Sequence, residues 1–253
     1  MNNKTVILGA AIAAILATGA ARAEVFGGAE FGYAVDTNFN GASTAAAQLK
    51  ESIQSYTAYL GNYAPSADGR SALILKGDAQ ANRLEEASAL DNNLFGVSVG
   101  GYHAFDKVNS LTTTLSARAK RFDDDRRNGE TYGVAVGLKQ KVTNSFWFRE
   151  GLMAEYGTAQ VSTGTYNGYG VNVSLNWRAP SATLLSLGGG WNQRTYDVLA
   201  ADVRTNTQAT LGVVQEIGKH VYVRVSATHQ INSANDGSEY NSNVYSAGLG
   251  VNL

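Results

Sequence analysis

The 253-residue chain contains no cysteine, two prolines and three histidines, and each scarcity narrows what it can be. Without cysteine there is no disulfide framework and no thiolate metal site. With so little proline, long sheet ladders can run uninterrupted, because proline removes a ladder donor. Pro65 and Pro180 both fall where short turns are expected. Beyond residue 23 no run of 18 apolar residues occurs, which excludes a membrane helix there. The 20 basic and 21 acidic residues nearly cancel, and no basic run is interleaved with aromatics. Nucleic acid is therefore not an expected partner.

What the chain does have begins with a leader. Lys4 precedes an apolar stretch from Val6 to Ala17, and Ala21-Arg22-Ala23 fits the small-x-small cleavage rule, which predicts a signal peptide over 1–23 and a mature domain over 24–253. The apolar stretch is about 12 residues, against about 20 for a bilayer span. A membrane anchor is disfavoured.

The rest of the chain alternates. In the eighth such segment Tyr169, Val171, Val173, Leu175 and Trp177 share one face, against Gly170, Asn172, Ser174, Asn176 and Arg178. Val221, Val223, Val225 and Ala227 likewise oppose Tyr222, Arg224, Ser226 and Thr228. The two-residue period predicts twelve strands, near 25–36, 46–63, 71–84, 93–105, 110–122, 131–142, 145–156, 167–178, 182–196, 205–217, 220–232 and 241–253. Connections after even strands are short, as at 66–70, 106–109, 143–144, 179–181 and 218–219. Those after odd strands are longer and polar, as at 123–130, 157–166, 197–204 and 233–240. This sorting suits an antiparallel up-and-down transmembrane β-barrel with both termini in the periplasm.

A charged side chain facing lipid at mid-depth costs about 2–4 kcal/mol. The polar face must then enclose the lumen. Aromatics on the apolar face, namely Tyr33, Tyr59, Phe95, Phe105, Tyr132, Phe146, Tyr156, Tyr169, Trp177, Trp191 and Tyr245, read as two interfacial girdles. Glu150 breaks the pattern, since it shares a face with Phe146, Phe148 and Leu152; a bulge near Arg149-Glu150 would correct the register.

These segments, the leader and the last strand, Val244 to Leu253, make the chain resemble small porin-type barrels of Gram-negative outer membranes. The final strand is similar to the signal that barrel-assembly machinery recognises, with Leu253 where the family usually has Phe or Trp. Asn232-Ser233-Ala234-Asn235 to Tyr240-Asn241 resembles the last extracellular hairpin of small β-barrel porins and of barrels attached to export machinery. The resemblance implies an outer-membrane location, contact with lipid and lipopolysaccharide, and an architecture without a named solute.

The inward set is Lys50, Lys76, Arg118, Lys120, Lys139, Arg178, Arg194 and Arg224, against Glu30, Asp78 and Glu216. Basic walls concentrate anions. The expected function is a passive channel for small, anionic solutes, lined by Lys76, Asp78, Arg118, Lys120, Lys139, Arg178, Arg194 and Arg224. Twelve-stranded channels for acidic sugars resemble it in this respect. Small barrels can also fill with side chains, and twelve strands do not decide between the two. A non-conducting barrel contacting surface polymers or export machinery, an adhesin, and a soluble periplasmic β-protein are the alternatives.

Catalysis is not expected. It would need a base such as histidine within reach of a carboxylate or serine. His103 and His220 sit at predicted periplasmic strand ends, and His229 shares phase with Val225 and Ala227, with Asp197 and Asp202 on a neighbouring loop. Asp123-Asp124-Asp125-Arg126-Arg127 reads as a solvated loop tip rather than a metal site, because consecutive carboxylates splay apart. Gly188-Gly189-Gly190 lacks the helix and lysine of a phosphate loop and reads as room for strand bending or a large inward side chain. No cofactor is implied.

Overall fold

A computed structural model describes residues 23–198 and 202–253. Apart from Ala23, the expected leader lies outside the described residues. Alternation over long segments without interior proline produces twelve strands: β1 (Glu24–Asp36), β2 (Glu51–Pro65), β3 (Ser71–Leu84), β4 (Asn92–Ala104), β5 (Asn109–Phe122), β6 (Gly129–Lys141), β7 (Phe146–Ala159), β8 (Tyr166–Arg178), β9 (Thr183–Tyr196), β10 (Val203–Ile217), β11 (Val221–Ala234) and β12 (Glu239–Asn252). Each pairs antiparallel with its chain neighbours, and β1 pairs with β12, so the sheet closes into a barrel. Closure satisfies the edge strands, which is the condition for a sheet to stand in lipid.

Turns after even strands are tight, with Gly69 and Gly218 at positive φ, where a Cβ would be strained. Connections after odd strands are less extended than the sequence suggested, because the ladders continue further: β7 runs to Ala159 and β11 to Ala234. The segment 37–50 is the exception. It is folded by the buried Asn38, whose amide donates to the carbonyls of Ala42 and Asn241 at 2.9 and 2.8 Å. That fold delays β2 until Glu51, so Lys50, expected inside, is an exposed loop residue.

The barrel has two unlike faces. Outward-pointing Leu115, Leu152, Val173, Leu187, Leu211 and Leu249 are 54–61% exposed, a continuous apolar belt of the kind monomeric soluble proteins avoid. On β7 the outward rings of Phe146 and Tyr156 mark its limits. Ten residues at about 3.3 Å, tilted by about 40°, give a height of about 25 Å, the apolar band of such barrels. Of the expected girdle residues, Tyr59 is misplaced. It pairs with Gly28 and Asp78 on the inner face, and its hydroxyl donates to Asn252 at 2.7 Å. Tyr56, three residues earlier, takes the outer face and packs on Phe31.

No bulge rescues Glu150. The ladder runs without interruption from Gly129↔Ala159 to Lys141↔Trp147, placing Glu150 between Leu138 and Val173 on the outer face. Arg149 accordingly points inward. So does Glu155, which the sequence reading did not include.

Candidate functional site

Side chains converge on the concave side of a barrel, so residues two strands apart, roughly 9–10 Å, meet only inside. Asp78 on β3 and Arg118 on β5 do so at 2.9 Å, over Gly96 of β4. A Cβ at Gly96 would sit 2.8 Å from the Asp78 carboxylate, so glycine is what leaves the pair its path. The same device recurs on β7–β9, where Arg194 and Glu155 meet at 2.8 Å over Gly168. A third instance spans the closing seam. Glu30 of β1 accepts from Arg224 of β11 and, at 2.7 Å, from the Tyr222 hydroxyl, across Gly248 and Gly250 of β12. Arg178 and Glu216 meet at 2.9 Å near the rim that carries the tight turns.

Lysines find rings instead. The ammonium groups of Lys76, Lys120 and Lys139 lie 5.1, 5.9 and 4.6 Å from the ring centres of Tyr59, Tyr166 and Trp147. Tyr166 is the hub of the outer half. Its buried ring carries the Arg194 guanidinium at 4.7 Å and packs against Tyr196. Such contacts are worth about 0.5–1 kcal/mol each where solvent reaches them.

All eight residues expected to line the path, Lys76, Asp78, Arg118, Lys120, Lys139, Arg178, Arg194 and Arg224, therefore stand on the inner face. The sequence reading missed inward Lys141, Arg149, Glu155, Arg204, Asp36 and Glu51. The phase of each strand, carried through to its observed end, would have found them.

Packing does not seal off the inward arginines. Side chains of Arg118, Arg178, Arg194 and Arg224 keep 41–47% of their exposure. The buried apolar residues among those described are only Ala72, Leu84, Trp147 and Tyr166. At the end of the barrel that carries the connections after odd strands, Arg194, Tyr196, Arg204, Asn206, Asn232 and Tyr240 line a hollow of about 600 Å³.

Histidines stay outside this arrangement. His103 meets Ser71 at 2.8 Å, His220 the Asn252 carbonyl at 2.9 Å, and His229 the outward Asn243 at 2.9 Å, while Asp202 is taken by Arg204 at 2.7 Å. In the 123–128 loop, Asp124 binds Arg126 at 2.9 Å, and the hydrogen bond from that guanidinium holds its carboxyl below the usual aspartate range. Asp125 accepts from Asn128 at 2.7 Å.

No protein-family model matches the sequence, and no curated protein matches it. Solved structures do. An outer-membrane channel from Pseudomonas putida F1 superposes with a TM-score of 0.65 at 11% identity, over 90% of this chain and 95% of that one. The translocator domain of the autotransporter NalP from Neisseria meningitidis gives 0.49 at 12% identity, over 98% and 94%. An anion-selective porin from Comamonas acidovorans gives 0.46 at 9% identity, over 92% and 99%. By architecture the chain is a closed twelve-stranded antiparallel β-barrel, the fold it shares with the outer-membrane channel from Pseudomonas putida F1.

Proposed function

We propose that the protein is a passive outer-membrane channel for small solutes with a preference for anions. The observation that carries this reading is the charged interior, whose arginines are not packed over. A plugged barrel would bury its inward side chains, whereas here four lumenal arginines remain nearly half exposed. Lys76, Arg118, Lys120, Lys139, Arg178, Arg194 and Arg224, with Asp78, line the path. Basic walls of low dielectric surroundings concentrate anions within them. Asp36, Glu51 and Glu155 offset part of this charge, while Lys141, Arg149 and Arg204 restore the basic excess.

Two features support a non-conducting, interaction-type barrel instead. Several lumenal arginines already hold a carboxylate, and Tyr166 with its cations thickens one wall. Liposome swelling separates the readings. Vesicles carrying the barrel should swell in small neutral and anionic solutes, faster in the anionic ones; no swelling in any solute selects the non-conducting barrel. In either case, lipid and lipopolysaccharide surround the belt, and the β12 strand is the segment offered to barrel-assembly machinery.

A further inference from the structure

On the half of the lumen nearer the tight turns the register places like charges face to face. Lys139 of β6 and Arg149 of β7 are direct cross-strand partners. Such a pair destabilises a sheet, so an opposite charge is expected nearby. None is there. Among the described residues Arg149 and Lys141 have no carboxylate partner; Glu150 points to the other face, and Glu216 is held by Arg178. Lys139 feels the repulsion of Arg149, Lys141 and Arg178.

The wall above and beside this pair is hollow. Gly137 and Gly188 face the lumen, and a Cβ at either would meet nothing nearer than 3.5 Å. Of the triple glycine at 188–190 only Gly188 and Gly190 face inward, and Gly190 lies against the Gln208 side chain, so Gly188 alone leaves the wall open. A cavity of about 520 Å³ opens beside the Lys139–Arg149 pair, with Lys139, Lys141, Arg149, Ser110, Thr112 and Asn172 among its lining residues. Three cations, several hydroxyls and an amide border a space that the barrel leaves unfilled. The combination suits a small multivalent oxyanion: the cations oppose its charge, and the hydroxyls and amide donate to its remaining oxygens.

We infer that this cavity binds a small polycarboxylate or polyphosphate, held between Lys139 and Arg149. It is a discrete station within the proposed channel, and it rests on that reading only for its role in transport. Binding itself does not need current. Calorimetric titration of the folded, detergent-solubilised barrel with citrate in one arm and pyrophosphate in the other distinguishes carboxylate from phosphate. Binding in either arm is expected, weakened about tenfold by Arg149→Gln or Lys139→Gln and unchanged by Arg127→Gln in the outer loop. Heat-modifiable migration checks that each variant folds. Lack of binding in both arms, or equal binding by the Arg149→Gln/Lys139→Gln double variant, overturns the site. Binding without conductance in planar bilayers would sink the channel and leave the site standing; conductance without binding would do the reverse.

Discussion

Glu150 offers a sharp test of which face meets lipid. It lies four residues above Phe146 on β7, which at about 3.3 Å per residue and about 40° of tilt puts it about 10 Å inside the apolar band, close to its middle. Leu138 and Val173 flank it, and no hydrogen bond or ion pair engages it among the described residues. A basic residue at that depth costs about 2–4 kcal/mol, and a carboxylate less. Glu150→Leu should therefore stabilise the barrel by about 2 kcal/mol, read as a rise in the urea midpoint of reversible unfolding in phosphocholine vesicles. The mirror substitution, Leu152→Glu, adds a second carboxylate to the same face and should lower the midpoint by a similar amount. The contrast matters because both changes would be nearly neutral on a water-exposed face, where a carboxylate costs nothing and an added leucine gains little. If Glu150→Leu left the midpoint unmoved or lowered it, while Leu152→Glu was tolerated, the assignment of outer face to acyl chains would fail.

Further predictions concern the interior and the loops. Asp78→Asn removes a lumenal negative charge and frees Arg118, so anion-over-cation permeability should rise; because Arg118 is 43% exposed, stability should fall by no more than about 1 kcal/mol. Glu51 is 2% exposed, and its carboxylate accepts from the backbone N–H groups of Ser52, Glu85, Glu86 and Ala87 at 2.8–3.1 Å. Glu51→Ala should cost about 3 kcal/mol and open the 85–91 loop to protease on intact barrels; unchanged protection would show that the loop is held by other contacts. Asp124 should titrate below an ordinary aspartate by NMR, returning towards it in Arg126→Gln. Since its folded carboxyl is depressed, the order it lends the loop is present above the ordinary aspartate range and is lost as pH falls through the lower, folded value.

Much of this architecture was legible because period-two alternation survives in a single sequence, and because short and longer turns sort to opposite ends of the barrel. Twelve strands and the inner placement of the eight residues expected to line a path follow from phase alone. Three things did not. Tyr56 and Tyr59 both suit a girdle by type, and only pairing with Gly28 and Asp78 assigns Tyr59 to the lumen. Arg149-Glu150 puts a charge on each face of β7, so no choice of phase is free of conflict; a bulge looked cheaper than a lipid-facing carboxylate. Tyr166 was counted as loop, although it keeps phase with Gly168, Gly170 and Asn172. The ion pairs that leap a glycine were beyond reach, since each requires two inter-strand registers at once.

Whether the interior conducts, and for which sign of charge, is decided most directly by the reversal potential of the reconstituted barrel in a planar bilayer under a tenfold KCl gradient. A basic lumen that is not packed over predicts discrete current steps and a reversal potential of the sign set by chloride, moving towards zero in an Arg118→Gln/Arg178→Gln/Arg224→Gln variant. Silent membranes containing correctly folded barrel, or a potassium-selective potential indifferent to those substitutions, would contradict the account.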